Sequence, residues 1–409
     1  MPTADDEPSD GSVLAADVDR VDPAVTAADL ESVVEGTNAF ALALFRELAD
    51  GDGENLFVSP YSVSVALAMA WAGARGETAA ELADVLGMPD DRETAHEAFN
   101  ALSRSLEGAD GDASAFTLRV ANAIWGQTGS PFAEAFLETL ARQYGAGLRT
   151  ADFAADPEPA REAINGWVAR ETEGKIDEVL PEGAVHDETR LVLTTAIYFL
   201  ASWRHRFDAD ETADGTFTAL DGRKSTVPMM HQRLRTRYAA VDGHQVLALP
   251  YEGDATMTIL LPADGAFEPF RDALDADRLE ALLEATADAS GELALPRFAF
   301  ESSVGVSDAL AALGVETAFD ERADFTGMLE PAESAPSLVL EDVFHDAYVA
   351  VDEEGTEAAA ATGATMVPTS MPVETFDVTV DRPFLVAITH DGTGSLLFLG
   401  QVVDASAAQ

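Results

Sequence analysis

Between Ala358 and Val373 the chain carries no charged residue, although 24% of its residues overall are charged. This stretch lies inside "EEGTEAAAATGATMVPTSMPVETF" (Glu353 to Phe376). A strand-like run, "LVLEDVFHDAYVAV", precedes it and another, "FDVTVDRPFLVAI", follows it. Connections longer than about 12–15 residues without structure of their own are uncommon in compact domains, and are then functional or disordered. A solvated tether would be written with charge. Any fold for this chain must house the bland segment or use it.

Read as a strand, the segment turns Thr356, Ala358, Ala360, Thr362, Ala364 and Met366 to one side. All are small or apolar, so this side could enter a core. The other side carries Glu357, Ala359, Ala361, Gly363, Thr365 and Val367, and could lie against solvent. Two plainer readings compete. "TEAAAAT" favours helix over strand but is too short to hold a helix in water, and a loose tether is the other. The residues alone leave all three open.

The rest of the chain reads as a soluble α+β protein. Its 409 residues are 47% hydrophobic, ample for a sizeable core. The formal net charge of -50, from 74 acidic and 24 basic residues, is scattered along the chain. Such self-repulsion needs screening, and at about 1 M salt the Debye length is only about 3 Å. A high-salt source, a halophile, is expected. The field has the wrong sign for nucleic acid or an anionic membrane. There are no cysteines, which excludes disulfides and thiol nucleophiles. The start shows no signal-peptide pattern, so a cytoplasmic place is the default and the extracellular space stays open.

Along the chain, helical periodicity comes mostly first and short strands later, the order of an α+β domain. Residues 1–28 are acidic and Ala/Pro-rich and are expected to be disordered; residues 29–405 read as one domain. "NLFVSPYSVSVALAMAWAGA" starts as strand, breaks at Pro60 and continues as a helix apolar nearly all round, hence buried. "LVLTTAIYFLASW" (Leu191 to Trp203) is too short for a membrane helix. No hydrolase elbow, zinc-protease helix, calcium loop or phosphate loop is present. The seven histidines show no metal-ligand spacing. Neither enzyme activity, nor a cofactor, nor a metal site is expected.

"DEEGTEAAAAT" resembles the hinge of the serpin reactive-centre loop. The likeness extends to "NLFVSPYSVSVALAMAWAGARGET", to "INGWVARETEGKIDEVLPEG" with "TRLVLTTAIYFLASWRHRF", to "VPMMHQ" and to "VTVDRPFLVAI". It runs from about Leu30 to Asp404 with its motifs in order. The resemblance implies a serpin fold of three β-sheets and about nine helices, with an exposed reactive-centre loop at about 353–376. The loop hinge would be Gly355, Thr356, Glu357, Ala358, Ala359, Ala360 and Ala361. It places Trp203 at the top of the large sheet, where the loop begins to insert. Ser59, Ser62, Asn165 and His345 would form a polar cluster beneath the strands that open. The family usually has asparagine where this chain has Thr195, so that cluster must be wired differently: a hydroxyl offers one donor where an amide offers two.

The implied activity is one-shot inhibition of a serine or cysteine protease. The protease cleaves the loop, forms an acyl-enzyme, and is dragged along as the loop inserts into the sheet. Family spacing from Gly355 puts the scissile bond at Thr369–Ser370, after Pro368, with Met366 and Met371 as alternatives. No Lys or Arg lies between Thr356 and Phe376, which disfavours a trypsin-like target. A subtilisin-like or elastase-like protease with a small or apolar pocket fits better, met by a monomeric inhibitor. The competing reading is a serpin-fold protein without inhibitory role, serving in storage, as a chaperone or as a carrier.

Overall fold

The computed structural model describes residues 12–49, 53–107, 116–331, 337–356 and 374–407. In chain order the elements are β1 (Ser12–Leu14), α1 (Ala27–Ala49), β2 (Leu56–Val58), α2 (Pro60–Gly73), α3 (Gly76–Val85), α4 (Arg92–Glu107) and β3 (Thr117–Gln127). Then come α5 (Glu134–Thr139), β4 (Leu148–Ala151), α6 (Pro157–Glu171), β5 (Leu191–Ser202), β6 (Ala213–Thr218), β7 (Lys224–Val241), β8 (His244–Pro250) and β9 (Ala255–Leu261). Last are α7 (Phe267–Asp272), α8 (Ala276–Glu284), β10 (Ala287–Pro296), β11 (Phe298–Gly305), α9 (Ser307–Leu313), β12 (Leu340–Val351), β13 (Gly355–Thr356), β14 (Glu374–Thr379), β15 (Phe384–His390) and β16 (Leu396–Val402).

The strands form a seven-stranded sheet in the order β1-β4-β3-β5-β13-β12-β11 and a nine-stranded array, β14-β10-β7-β8-β9-β15-β16-β2, with β6 paired to β7. The long strand β7 joins what would otherwise be two sheets: its first part carries β6 and β10, its last residues β8. The expected three-sheet α+β architecture is therefore present, with the second and third sheets sharing one strand.

The large sheet and the array face each other through one core. Ile197 and Phe199 of β5 meet Leu247, Met257, Val386 and Phe398 of the array. Helix α2 threads this core. Ser59 caps it, its Oγ accepting from the Ser62 amide at 3.2 Å, and Pro60 supplies the preset first turn. Thirteen of its residues are buried, as an all-round apolar helix requires. Strand β5, antiparallel to β3 and parallel to β12, is covered on both sides, which explains its unbroken apolar run.

On the outer face of the large sheet lies α6, followed by an irregular strap, residues 172–190. Trp167, Val168, Ile176, Val179 and Leu180 close over Ala121, Ala123, Ala196 and Phe344. Gly174, at φ 73°, ends the helix by donating to the Ala169 carbonyl at 2.7 Å.

Residues 12–26, expected to belong to a disordered tail, are instead placed against the body. Strand β1 adds to the edge of β4. Arg20 reaches Asn100 Oδ1 at 2.8 Å and Glu107 at 2.5 Å, and Asn100 donates to the Val21 carbonyl. Acidic composition alone hid these partners, which come from α4.

Candidate functional site

Strands β5 and β12 pair directly from Leu191 and Leu340 up to Tyr198 and Tyr348. Above that point they part, and β13 stands between them. Gly355 pairs with Ser202, and Thr356 pairs with Ala201 on one side and Val351 on the other. Gly355 and Thr356 thus already occupy the top of the seam. Gly355 suits this place because a Cβ would lie 2.1 Å from the Ala201 carbonyl oxygen. Thr356 is 1% exposed, and its hydroxyl meets the Tyr251 hydroxyl at 2.7 Å.

The turn leading into β13 is fixed residue by residue. Asp352 Oδ1 accepts from the amides of Glu354 (2.8 Å) and Gly355 (3.1 Å), an Asx turn. Trp203 Nε1 donates to the Asp352 carbonyl at 2.9 Å, and its ring stacks on Tyr251 at 4.4 Å between centroids. Glu353 takes both oxygens to Arg297 Nη2, at 2.5 and 2.6 Å, and accepts from Thr212 at 2.6 Å. Burial opposes its charge, but the Thr212 and Arg297 hydrogen bonds outweigh burial and hold the carboxyl below its ordinary value.

A lowered carboxyl pKa stabilises the fold above the unfolded-state value and loses that contribution as pH falls through the folded one. Glu353→Gln is therefore expected to cost about 1–3 kcal/mol near neutral pH, discounted because Arg297 is half exposed. Urea unfolding of both proteins measures this, and the gap should narrow toward pH 4.

Beneath the closed part of the seam lies a second cluster. His345 Nε2 accepts from the Ser59 amide at 2.9 Å, so Nδ1 carries the proton and donates to Thr195 Oγ1 at 2.8 Å. Thr195 in turn donates to the Phe344 carbonyl at 3.2 Å. Ser59 Oγ donates to the Leu397 carbonyl, while Ser62 Oγ pairs with Asn122 of β3 at 2.6 Å. Burial keeps His345 neutral, its pKa lowered to about 3. The serine hydroxyls face other partners than the imidazole, so this is a fastening between strands and α2, with no nucleophile–base pair. One hydroxyl, that of Thr195 on β5, both donates to and accepts from β12 and so ties the two strands.

Asn165 does not join this cluster, contrary to the expectation. It lies on α6 at the outer face, accepting from the amides of Val179 (3.1 Å) and Leu180 (2.9 Å) and donating to the Leu180 carbonyl. Its work is to hold the strap. Asn122, Tyr251, Thr212 and the Glu353–Arg297 pair were not singled out from the sequence; nothing local marks them. Glu357, Ala358, Ala359, Ala360, Ala361, Thr369 and Ser370 lie outside the described residues, as do the alternatives Met366 and Met371. Among the described residues there is no cluster of side chains suited to a metal ion, and no helix is long and apolar enough to cross a membrane.

The family model described as serpin (serine protease inhibitor) matches residues 35–405. An uncharacterized serpin-like protein of Thermococcus kodakarensis is 38% identical over 376 residues, covering 91% of this chain and 85% of its own length. The leukocyte elastase inhibitor of Sus scrofa is 38% identical over 385 residues, covering 91% and 99%. Among solved structures, the native state of the thermophilic serpin tengpin superposes with a TM-score of 0.84 at 25% identity, covering 96% of this chain and 99% of that one.

Proposed function

This chain belongs to the serpin family, and from that premise we propose that it is a suicide inhibitor of a serine protease that works by inserting its cleaved loop between β5 and β12. The observation that carries the reading is the hinge itself: Gly355 and Thr356 stand hydrogen-bonded between the two strands that must part.

Were the register of Thr356 to continue downward after cleavage, Ala358 would fall between Phe199 and Val349, Ala360 between Ile197 and Ala347, and Thr362 between Thr195 and His345. Both flanking strands give the same positions independently. Thr362 would bring a hydroxyl to the point where parting the strands breaks the Thr195–His345 bond. On the outer face, Glu357 would meet the partly exposed Leu200 and Ala350. Ala361 and Gly363 would pass beneath α6 and the strap, next to Ala196 and Phe344. The segment must then be small on both faces over this span, a stricter demand than the half-solvated strand expected from alternation alone.

Insertion adds a strand's hydrogen bonds, on the order of 10 kcal/mol at about 1 kcal/mol each. The acylated protease is pulled along, and its nucleophile leaves the oxyanion hole. Losing one donor there costs about 10²–10³ in rate, so deacylation stalls. The reactive bond is Thr369–Ser370, and the target has a small or apolar primary pocket. The kinship with leukocyte elastase inhibitors is compatible with such a pocket.

The test is to mix the protein with a subtilisin-like protease in molar salt and run a denaturing gel. High salt is part of the proposal, since the -50 charge reads as adaptation to it. A covalent band at the summed mass is expected, weakening as salt is withdrawn. Clean loop cleavage without that band would favour the non-inhibitory reading, a storage, chaperone or carrier protein.

A further inference from the structure

The seam between β5 and β12 holds a buried acid that the insertion mechanism does not require. Asp346 of β12 stands opposite Ala196 of β5 and Ser303 of β11, on the outer face between Phe344 and Tyr348. It is 1% exposed, and its Oδ1 accepts no hydrogen bond among the described residues. The Ser303 hydroxyl serves the group's other side. A buried carboxylate with an unmatched oxygen is costly, and most natural folds avoid it.

Its charged surroundings make matters worse. Glu301, two residues away along β11, faces the same side, and its own carboxyl is pushed up by burial and then by Asp177 of the strap. Three acids thus converge where strap and sheet meet. The nearby cation, Lys175 of the strap, lies 5.8 Å from the ring centres of both Tyr198 and Tyr348. Those tyrosines are register partners across the seam, two positions above Asp346 and on the same face. The strap therefore grips the seam through Lys175 and is repelled from it by the acids.

We propose that Asp346 is a positioning residue whose protonation sets how readily β5 and β12 part for the loop; this rests on the insertion reading above. Protonated, Asp346 is a neutral group that the closed seam tolerates beneath the strap. Ionised, it penalises the closed seam, and parting the strands lifts the strap and lets water reach the carboxylate. Ala361, the residue the register brings opposite Asp346, is small enough to leave that water in place.

Burial pushes the Asp346 carboxyl up to about 7, with Ser303 opposing and Glu301 adding to the rise. A raised acid pKa means the closed state is stabilised below the unfolded value and loses that stability as pH climbs through about 7. Opening should thus quicken as pH rises through neutrality. His345, on the other face, is held neutral down to about 3 and contributes nothing in this range.

The experiment uses the intact protein and a synthetic peptide of its own sequence from Thr356 to Thr369. Stable incorporation is timed from pH 5.5 to 8.5 in molar salt by native-gel shift and by the melting midpoint. For the natural sequence the rate is expected to rise about tenfold across the range, the effect of relieving one pKa unit. Asp346→Asn should be slow and flat with pH. Glu301→Gln should keep the rise but move its midpoint to lower pH, a readout that a purely structural role would not shift. A flat profile for the natural protein, an unchanged slope in Asp346→Asn, or an unmoved midpoint in Glu301→Gln overturns the proposal while leaving insertion standing. If Asp346→Asn does not fold, Glu301→Gln decides alone. No incorporation at any pH, with no rise in melting midpoint, overturns insertion itself and this inference with it.

Discussion

Cutting the chain once between Thr356 and Glu374 is expected to raise its thermal unfolding midpoint by at least about 10 °C. A domain of this length unfolds with an entropy near 0.8 kcal/mol per degree, from about 2.1 cal/mol/K per residue. A new central strand worth on the order of 10 kcal/mol therefore moves the midpoint by roughly that amount, before packing is counted. Ordinary loop nicking does the opposite, since it frees two ends and gains nothing. The pairing of Gly355 and Thr356 with both flanking strands means the strand needs only to continue, not to nucleate. The measurement is differential scanning of intact and nicked protein in the same salt. A midpoint that stays level or falls after nicking would remove the insertion mechanism and leave the fold.

The fold was legible because its strongest signals are local. Pro60 after Ser59 marks a helix start and Asp391 to Gly394 turns one hairpin into the last two strands, whereas the run Leu191 to Ser202 reads as a central strand only through the family likeness. The site was legible in part. Ser59, Ser62, Thr195 and His345 lie together beneath the closed part of the seam, a grouping suggested by family likeness and not by spacing. Asn165 misled because an asparagine on an amphipathic helix gives no hint which side of a sheet it will serve. Glu353 and Arg297 are 56 positions apart, and in a chain with 74 acids no single carboxylate announces its partner. Asp346 was invisible for the same reason. What sets it apart is burial against β5, and that exists only once the strap has folded over the sheet.

If the loop inserts as proposed, its two faces would meet different constraints. The inner face would have to fit between side chains of the main core, whereas the upper outer face would stay near solvent. Small residues on the lower outer face would answer to the strap, not to the core. On that reading a single alternation pattern in the sequence serves two separate packing surfaces.

The sharpest consequence is a test of parity. Ala360→Arg is expected to abolish the covalent protease complex, at least tenfold by band intensity, and to turn the protein into a substrate. In the extended register residue 360 enters between Ile197 and Ala347, both 0% exposed, where a guanidinium would be buried without a partner. That costs several kcal/mol and slows insertion below the rate of deacylation. Glu357→Arg places the same side chain three residues earlier but on the opposite face, beside the partly exposed Leu200 and Ala350. It should leave the complex nearly intact. A subtilisin-like protease serves for both, since a trypsin-like one would be drawn to the new arginine. Equal loss in the two variants would mean that bulk anywhere in the hinge is tolerated poorly, and the strand register would be wrong. Equal retention would mean that this face of the loop never enters the core.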